Sequence, residues 1–277
     1  MISDIAAGQI SILYGFHGPN YATCSACATS TNAIADAFNL IRLGKANAII
    51  SGGSEAAIFP AGVGGFNAMH ALSTRNDEAS KASRPFSASR DGFVMGEGAG
   101  AVFMESLESA QARGAKILAE VVGYGSTCDA NHITSPLLDG DGAVKAMEAA
   151  MDEAGIEKTE VGYINAHGTS THINDAAETL AIKTCFGDYA KDINISSTKS
   201  MTGHLLGATG AVEAVASVLA LENSFVPPTI GYKVPDEECD LNYTPNKGVE
   251  RDIKYALSNT LGFGGHNAVL CLKKWED

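Results

Sequence analysis

The sequence predicts an α/β protein whose sheets are buried between helices. Short apolar runs with the length of a strand alternate with longer stretches whose apolar residues recur at helical spacing. Several of these segments end at glycine, which is typical of helix ends and tight connections. The strand-like runs are almost continuously apolar, and such runs favour strands that are covered on both faces.

In the first part of the chain the pattern predicts two helices and three strands. Residues 28–43 have helical apolar spacing and end before Gly44, which suits the position after a helix. The run at 46–50 is short, apolar and bounded by Gly52 and Gly53, as expected of a buried strand. The other elements predicted here are strands at 100–104 and 117–122 and a polar helix at 107–113.

The same alternation continues in the second part of the chain. Residues 142–154 form an amphipathic pattern that ends at Gly155, and residues 207–223 are apolar nearly all round, so we expect that helix to be buried. The other elements predicted here are a helix at 175–186 and strands at 161–166, 193–197, 253–260 and 267–273.

Two stretches of the sequence place small residues at the start of a mostly apolar helix. They are residues 26–29 and residues 203–207. We interpret them as a sign of two related halves and predict the division at 1–125 and 126–277.

Composition argues against several classes of protein. The chain has 277 residues, of which 45% are hydrophobic and 18% charged, as in globular proteins. Its net charge of −13 argues against nucleic-acid binding. The longest apolar runs, such as 211–221, are interrupted by Glu213 and are too short to span a bilayer, so we expect no membrane association. Six cysteines do not make a disulfide framework in a chain of this length and indicate a reducing, cytoplasmic setting.

Cys27 lies at the predicted start of the 28–43 helix. Unpaired amides and the positive end of the helix dipole favour a thiolate there, so we expect a lowered thiol pKa. Small neighbours would allow a substrate to reach the sulfur. The alternative is a small buried cysteine without chemistry.

Cys24 and Cys27 also form a CxxC pair. Such a pair is found in redox proteins and in half of many zinc sites. No thioredoxin-like context surrounds it, and no second CxxC or nearby pair of histidines completes four zinc ligands. Both alternatives therefore rest on the pair alone.

Three further segments could provide catalytic groups at strand ends. His167 follows a predicted strand, where α/β proteins place reactive groups, although it could simply bond to nearby hydroxyls. Lys199 and His204 precede the most apolar helix, where a buried cation needs a partner, and Glu178 is the partner we predict. The glycines at 262–265 would let a backbone N–H form an oxyanion hole, or form a plain β-turn. Together with Cys27, these groups suit acyl transfer.

Five long motifs carry a resemblance to the β-ketoacyl-acyl-carrier-protein synthase family, in its elongating I/II branch and closer to synthase II than to synthase I. The motifs occur in the family's order and the resemblance covers nearly the whole chain. They are SACATST around Cys27, KASRPFSASRDGFVMGEGAGA at 81–101, NAHGTST at 165–171, SSTKSMTGHLLGATGAVE at 196–213 and NTLGFGGHNAVL at 259–270. His172 departs from the family, which usually has proline there, and so does His266, where threonine is common.

The resemblance implies a thiolase-like, five-layered αβαβα fold. Family members carry further strands and helices before this point, so we expect the fold to lack its first N-terminal strands and helices. We also expect that the chain alone is unstable or inactive. A truncated, non-catalytic chain that only dimerises or binds acyl carrier protein is therefore the alternative to an active enzyme.

The resemblance also implies a role for each matching residue. Cys27 would take an acyl chain as a thioester, and His167 and His204 would hold malonyl-acyl carrier protein and support its decarboxylation. Lys199, paired with Glu178, would orient the histidines. The N–H groups of Cys27 and Phe263 would form the oxyanion hole, and Phe263 would also act as a gate. Thr169 and Thr171 would bind the phosphopantetheine arm.

The resemblance further implies a homodimer in fatty-acid elongation that needs neither metal nor organic cofactor, because its substrates arrive on the phosphopantetheine of acyl carrier protein. Acyl carrier proteins are acidic, as this chain is, so docking would need a local basic patch. The patch predicted from the sequence consists of Arg75, Lys81, Arg84 and Arg90. An ordinary solvated loop is the alternative.

Overall fold

The computed structural model describes residues 2–276 and confirms the α/β prediction. The helices are α1 (Ile5–Tyr14), α2 (Thr29–Arg42), α3 (Pro60–Ala68), α4 (Leu107–Ala112), α5 (Asp141–Ala154), α6 (His172–Phe186), α7 (Lys199–Thr202) and α8 (Thr209–Asn223). The strands are β1 (Ala48–Glu55), β2 (Gly98–Glu105), β3 (Ala119–Cys128), β4 (Val161–Asn165), β5 (Asn194–Ser196), β6 (Phe225–Val226), β7 (Val249–Glu250), β8 (Tyr255–Gly262) and β9 (His266–Lys274).

A five-stranded mixed sheet forms the centre of the molecule. Its strand order is β3-β9-β8-β4-β5, with β4 parallel to β5 and β8, and β9 antiparallel to β3 and β8. Successive residues of β8 point to opposite faces, as in any strand. Leu257 packs in the core shared with α5 and α6, whereas Ala256 packs with Leu221 of α8 on the other face. Both faces are therefore covered, which explains the continuous apolar runs in the sequence.

The strands β1 and β2 form a separate antiparallel pair, and α2 and α8 lie between this pair and the large sheet. The two helices begin against one another at small residues. The backbone N–H of Ala211 donates to Ser30 Oγ at 2.9 Å. A Cβ on Gly210 would lie only 2.0 Å from Thr31 Oγ1, so glycine is required for this close approach.

A similar turn precedes each of these two helices. A 3₁₀ turn at Ala26–Ala28 leads into α2, and another at Leu206–Ala208 leads into α8. The first residue of each turn has positive φ, 50° at Ala26 and 48° at Leu206. The weak internal similarity of the sequence thus corresponds to a shared local geometry. The division between the halves stays a prediction, and β3 crosses it without a break.

Several predicted bounds differ from the structure. The strand β1 was expected to stop before Gly52 but runs on to Glu55, because glycine permits close packing inside the sheet. A Cβ on Gly52 would lie 2.1 Å from the carbonyl oxygen of Gly100, and one on Gly53 would lie 2.8 Å from Ser30 Cβ. The helices α1 and α3 were not predicted. Neither contains a buried residue, so neither shows the one-sided apolar pattern on which the prediction relied.

Within residues 2–276, no helix combines the length and the apolar character that crossing a membrane requires.

Candidate active site

A cavity of about 340 Å³ lies where the loops that carry the candidate catalytic residues meet. Cys27 lies on its wall, together with His167, His204 and the loop that joins β8 to β9. The structure therefore brings together groups that are far apart in sequence. The predicted residues that line the cavity are Cys27, His167, Thr169, Thr171, His204 and Phe263.

Cys27 occupies the middle of the 3₁₀ turn before α2 and is 7% exposed. The end of β8 packs tightly on this turn. A Cβ on Gly262 would lie 3.0 Å from the carbonyl oxygen of Ser25 and 3.3 Å from the Cys27 nitrogen. This approach brings Phe263 close to the sulfur, and the backbone N–H groups of Phe263 and of Cys27 itself both act to lower the thiol pKa. Two N–H donors thus converge where an oxyanion could form.

The expectation of a lowered thiol pKa is wrong. Burial raises the pKa of Cys27 to about 11, although Lys199 and the two N–H donors act in the opposite direction. The loss of hydration outweighs the partial charge of the helix start. The resting thiol is therefore protonated at neutral pH, and its nucleophilic form requires a base in contact with it.

His204 supplies a base in the right place. Its Nε2 lies 3.1 Å from Cys27 Sγ, and its Nδ1 lies 3.0 Å from Thr209 Oγ1. A threonine hydroxyl can accept or donate, so Thr209 is compatible with either tautomer of the imidazole. Burial and the charge of Lys199 hold the pKa of His204 well below its usual range, which keeps the ring neutral.

His167 lies beside His204, with ring centroids 5.3 Å apart and ring planes nearly perpendicular. Burial, with added repulsion from Lys199 and His204, holds the pKa of His167 well below its usual range. Its Nδ1 is buried and has no hydrogen-bond partner within the part of the chain that the structure describes. Two neutral imidazoles therefore face the same cavity as the thiol.

Glu178 does not pair with Lys199 as predicted. The ion pair of Lys199 is formed with Glu213 of α8, at 2.5 Å from Nζ to Oε1, and both side chains are buried. Glu178 instead lies under the loop of His167. It accepts the backbone N–H groups of His167 at 2.7 Å and of Gly168 at 2.8 Å. Burial raises the pKa of Glu178 to about 7.

Thr169 and Thr171 line the cavity on the side of α6. Their hydroxyl oxygens lie 2.9 Å apart, and either can donate to the other. One hydroxyl hydrogen is thus free to turn towards a ligand in the cavity. Apart from the pairing of Glu178 with Lys199, the roles that the resemblance implies for these threonines and for the other six site residues stay predictions.

The predicted basic patch is not a patch on the surface. Arg84 and Arg90 are buried and ion-paired with carboxylates, and Arg75 pairs with Asp91 at 3.3 Å. Lys81 is the exposed cation among the four. The motif that contains these arginines is folded into the protein, because its polar groups bond to the loops around the site.

The CxxC pair is not joined. All six cysteines are free thiols, and Cys24 is exposed while Cys27 is buried in the site.

The sequence interpretation missed two residues of the site. Glu213 was noted only as an interruption of an apolar run, yet a single carboxylate in an otherwise apolar helix signals a buried charge with a partner. Thr209 gave no such signal, because small polar residues are common at the start of a helix.

Comparison with protein-family models agrees with this geometry. The model described as "Beta-ketoacyl synthase, N-terminal domain" matches residues 1–110, and "Beta-ketoacyl synthase, C-terminal domain" matches residues 118–233. Relatives named 3-oxoacyl-[acyl-carrier-protein] synthase 2 include one from Staphylococcus aureus, 58% identical over 276 residues, and one from Synechocystis sp., 54% identical over 276 residues. Both alignments cover 100% of this chain and 66% of the relative, so the chain spans just under two thirds of their length. Another S. aureus relative is 58% identical over 273 residues, with 99% of this chain and 68% of the relative covered.

Solved structures give the same result. One, titled as a type II polyketide synthase acyl-carrier protein in complex with its ketosynthase, has a TM-score of 0.97 and 41% identity. That match covers 99% of this chain and 67% of the other. A β-ketoacyl synthase from Burkholderia phymatum has a TM-score of 0.94 and 37% identity, with 99% and 66% covered. These neighbours confirm the thiolase-like α/β fold.

Proposed function

The chain belongs to the β-ketoacyl synthase family, and on this premise we propose that it condenses an acyl group held on Cys27 with a malonyl group held on acyl carrier protein. The product would be a 3-oxoacyl-acyl carrier protein, as in fatty-acid elongation. The observation that supports this proposal most directly is the contact of 3.1 Å between Cys27 Sγ and His204 Nε2, in a cavity that also contains His167.

The first step would transfer the acyl group to the enzyme. His204 Nε2 takes the thiol proton, and Cys27 sulfur attacks the carbonyl carbon of the incoming thioester. The N–H groups of Cys27 and Phe263 stabilise the oxyanion. The bond between the carbonyl carbon and the carrier's sulfur then breaks, and the proton on His204 passes to the departing thiolate. A base in contact with the thiol is needed because its pKa is about 11.

The second step would form the carbon–carbon bond. The imidazoles of His167 and His204 hold the thioester carbonyl of the malonyl group through N–H donors, and both rings are neutral. For this step the proton of His204 must move from Nδ1 to Nε2, and the hydroxyl of Thr209 beside Nδ1 is compatible with both tautomers. Carbon dioxide leaves, and its bonding electrons form an enolate. The enolate carbon attacks the acyl carbonyl on Cys27, the carbon–sulfur bond breaks, and the Cys27 thiolate that is released takes up one proton from the solvent. The reaction balances without a metal or an organic cofactor.

Thr169 and Thr171 are proposed to hold the phosphopantetheine arm in both steps, because they line the same cavity as Cys27. When one hydroxyl donates to the other, the accepting hydroxyl still has a hydrogen that it can donate to the arm. The partner would be acyl carrier protein. The names of the relatives and the complex of a structural neighbour with its acyl-carrier protein support this partner.

We also propose that the protein works as a homodimer in the cytoplasm. The exposed Ile12, Leu13 and Tyr14 of α1 support an interface between copies, which light scattering would test.

Mass spectrometry of the chain after incubation with an acyl thioester tests this function. We expect a single acyl adduct on Cys27 that is absent from the Cys27→Ala variant. A Cys24→Ala variant is the matched control, because Cys24 is exposed and lies three residues away, and it should still form the adduct. A folded sample without an adduct would contradict the proposal and favour a chain that only dimerises or binds the carrier protein.

A further inference from the structure

Arg90 directs its buried guanidinium group at the loop that carries the threonines of the cavity. Its Nε donates to the carbonyl oxygen of Thr171 at 3.3 Å, and its Nη2 donates to that of His172 at 3.1 Å. A third N–H group reaches the carbonyl oxygen of Ser87 at 3.1 Å. The side chain has no exposed surface, so it is not available to a partner in solution.

Two carboxylates hold this guanidinium in place. Asp175, on the first turn of α6, lies 3.5 Å away and is also fully buried, and Asp236 makes a close ion pair from the other side. Burial opposes the charge of the guanidinium, but Asp175 and Asp236 outweigh it and raise the pKa of Arg90. Asp175 also accepts the backbone N–H of Phe86 at 2.9 Å. The charges therefore connect α6 to the segment around Arg90.

The rest of this segment, residues 83–93, holds the same loop. The backbone N–H of Arg84 donates to Ser170 Oγ, and that of Gly92 donates to the carbonyl oxygen of Ser170, both at 3.0 Å. We call residues 83–93 the clasp segment. Phe86 adopts φ 64° within it and stacks on Tyr243. A Cβ on Gly168 would lie 3.0 Å from the Phe86 ring, so the ring packs closely on this glycine. A bulky residue with positive φ is uncommon and indicates that its surroundings fix it.

The loop at 167–172 needs such support because its own backbone is strained. Gly168 has φ 34° and Ser170 has φ 71°, so two of the residues between His167 and Thr171 have positive φ. Non-glycine residues in this region cost about 1–3 kcal/mol and persist only when neighbours hold them. The contacts of the clasp segment fall on Gly168, Ser170, Thr171 and His172.

We propose that Arg90 is a positioning residue for the thioester arm: it fixes the carbonyl groups of Thr171 and His172, and through them the hydroxyl groups of Thr169 and Thr171 that face the arm. This role rests on the proposed function for its kinetic consequence, but the ordering of the loop does not depend on it. Arg90 has no direct contact with the reacting atoms. A lysine at this position would keep the charge and lose the forked contacts with two carbonyl oxygens.

Arg84 provides a matched control. It is also a buried arginine of the clasp segment, but its side chain bonds to the carbonyl oxygen of Lys81, to Ser89 and to the partly exposed Glu78. None of these contacts reaches the loop at 167–172. Arg84→Lys should therefore lower the stability, as replacement of any buried arginine would, without disturbing the cavity.

The experiment compares Arg90→Lys and Arg90→Gln with Arg84→Lys. Hydrogen–deuterium exchange is measured on the backbone amides of residues 168–173 and of residues 27–33 of α2. We expect the Arg90 variants to exchange at least 10-fold faster in 168–173 and to be unchanged in 27–33. Where the chain is active, KM for malonyl-acyl carrier protein should rise and kcat/KM should fall by on the order of 100-fold. Alkylation of Cys27 by iodoacetamide, which needs no arm, should keep its wild-type rate.

The outcomes separate this inference from the proposed function. Unchanged exchange at 168–173 in both Arg90 variants would overturn the positioning role, whether or not the chain is active. Equal effects of Arg84→Lys and Arg90→Lys would also overturn it, because both would then reflect lost stability. Faster exchange confined to the Arg90 variants, in a chain that forms no acyl adduct, would support the positioning role while the proposed function fails.

Discussion

The ammonium group of Lys199 lies 2.5 Å from Glu213 Oε1, and both side chains are almost fully buried. The pair joins the start of α7 to α8. Burial is the main cause of the lowered pKa of His167 and of His204, and the charge of Lys199 lowers the pKa of both rings further. The charge of Lys199 therefore adds to the effect of burial that keeps the imidazoles neutral, and Glu213 makes the burial of this cation possible.

Removal of Glu213 should be far more costly than removal of a surface carboxylate. Glu213→Gln leaves Lys199 buried without a counter-charge, so we expect a loss of about 3–5 kcal/mol in the free energy of unfolding. The double variant Lys199→Met with Glu213→Leu should recover most of that loss, because no charge is then left unpaired. Urea unfolding followed by circular dichroism measures both.

The exposed pair of Lys183 and Asp240, 2.7 Å apart, is the control for this prediction. Asp240→Asn should change the stability by about 0–1 kcal/mol, as is usual for exposed pairs. Equal losses of unfolding free energy in Glu213→Gln and Asp240→Asn would contradict the view that buried Lys199 depends on Glu213 as its counter-charge.

How far the sequence predicts this site depends on the kind of signal. Cys27, His167, Lys199 and His204 stand out because reactive or charged side chains follow apolar runs. The structure places Cys27, His167 and His204 around one cavity, whereas Lys199 is buried in its ion pair with Glu213. The partner of Lys199 could not be chosen, because Glu178 and Glu213 both lie on helices near it. Only the fold shows that Glu178 is engaged by two peptide N–H groups.

Burial explains the other errors. The prediction of a lowered thiol pKa rests on the helix start alone, and the prediction of a basic patch rests on the charge of the arginines alone. In both cases the sequence identifies the titratable or charged group, but it does not show how deeply that group is buried. Arg90 has no exposed surface because two carboxylates and three carbonyl oxygens replace its water. Likewise α1 was missed because helix recognition by apolar spacing requires one buried face, and α1 has none.

The lowered pKa of His204 has a consequence for stability at acidic pH. The unfolded chain binds a proton on this residue below about pH 6.5, and the folded chain does not, so acid favours unfolding. Between pH 7.5 and 5.5 this single group should remove about 1.4 kcal/mol of stability. His204→Asn should therefore lose about 1.4 kcal/mol less than the wild type over this interval. Urea unfolding at the two pH values measures the difference.

Glu178 acts in the opposite direction and provides the control. Its pKa of about 7 in the folded protein means that the folded chain binds a proton more readily than the unfolded chain. That contribution to stability is present at acidic pH and is lost as the pH rises through 7. Glu178→Gln should consequently increase the loss on acidification, whereas His204→Asn reduces it. Shifts of the same sign in both variants would show that the pKa directions are wrong.

The protonated state of Cys27 predicts the order in which the thiols react. Cys24 and Cys128 are exposed, whereas Cys27 is buried and has a pKa of about 11. With a brief pulse of iodoacetamide at pH 7.5, we expect peptides of Cys24 and Cys128 to be labelled first. The rate at Cys27 should still be rising at pH 10, and it should fall in His204→Ala, which lacks the base at 3.1 Å. A rate at Cys27 that is already constant above pH 8 would contradict this assignment.

The tight contact between Gly262 and the turn of Cys27 should make the site sensitive to a single methyl group. In Gly262→Ala the new Cβ would lie 3.0 Å from the Ser25 carbonyl oxygen and 3.2 Å from the Ala28 nitrogen, so the end of β8 or the turn must move by a few tenths of an ångström. Overpacking of this kind costs about 1–3 kcal/mol. The N–H of Phe263 would move away from the sulfur at the same time, so acylation of Cys27 should slow by more than the loss of stability explains.

Gly64→Ala in α3, where a Cβ meets nothing within 4 Å, is the matched control and should be neutral or slightly stabilising. Equal rates of acylation in the two alanine variants would show that the oxyanion hole does not depend on this contact.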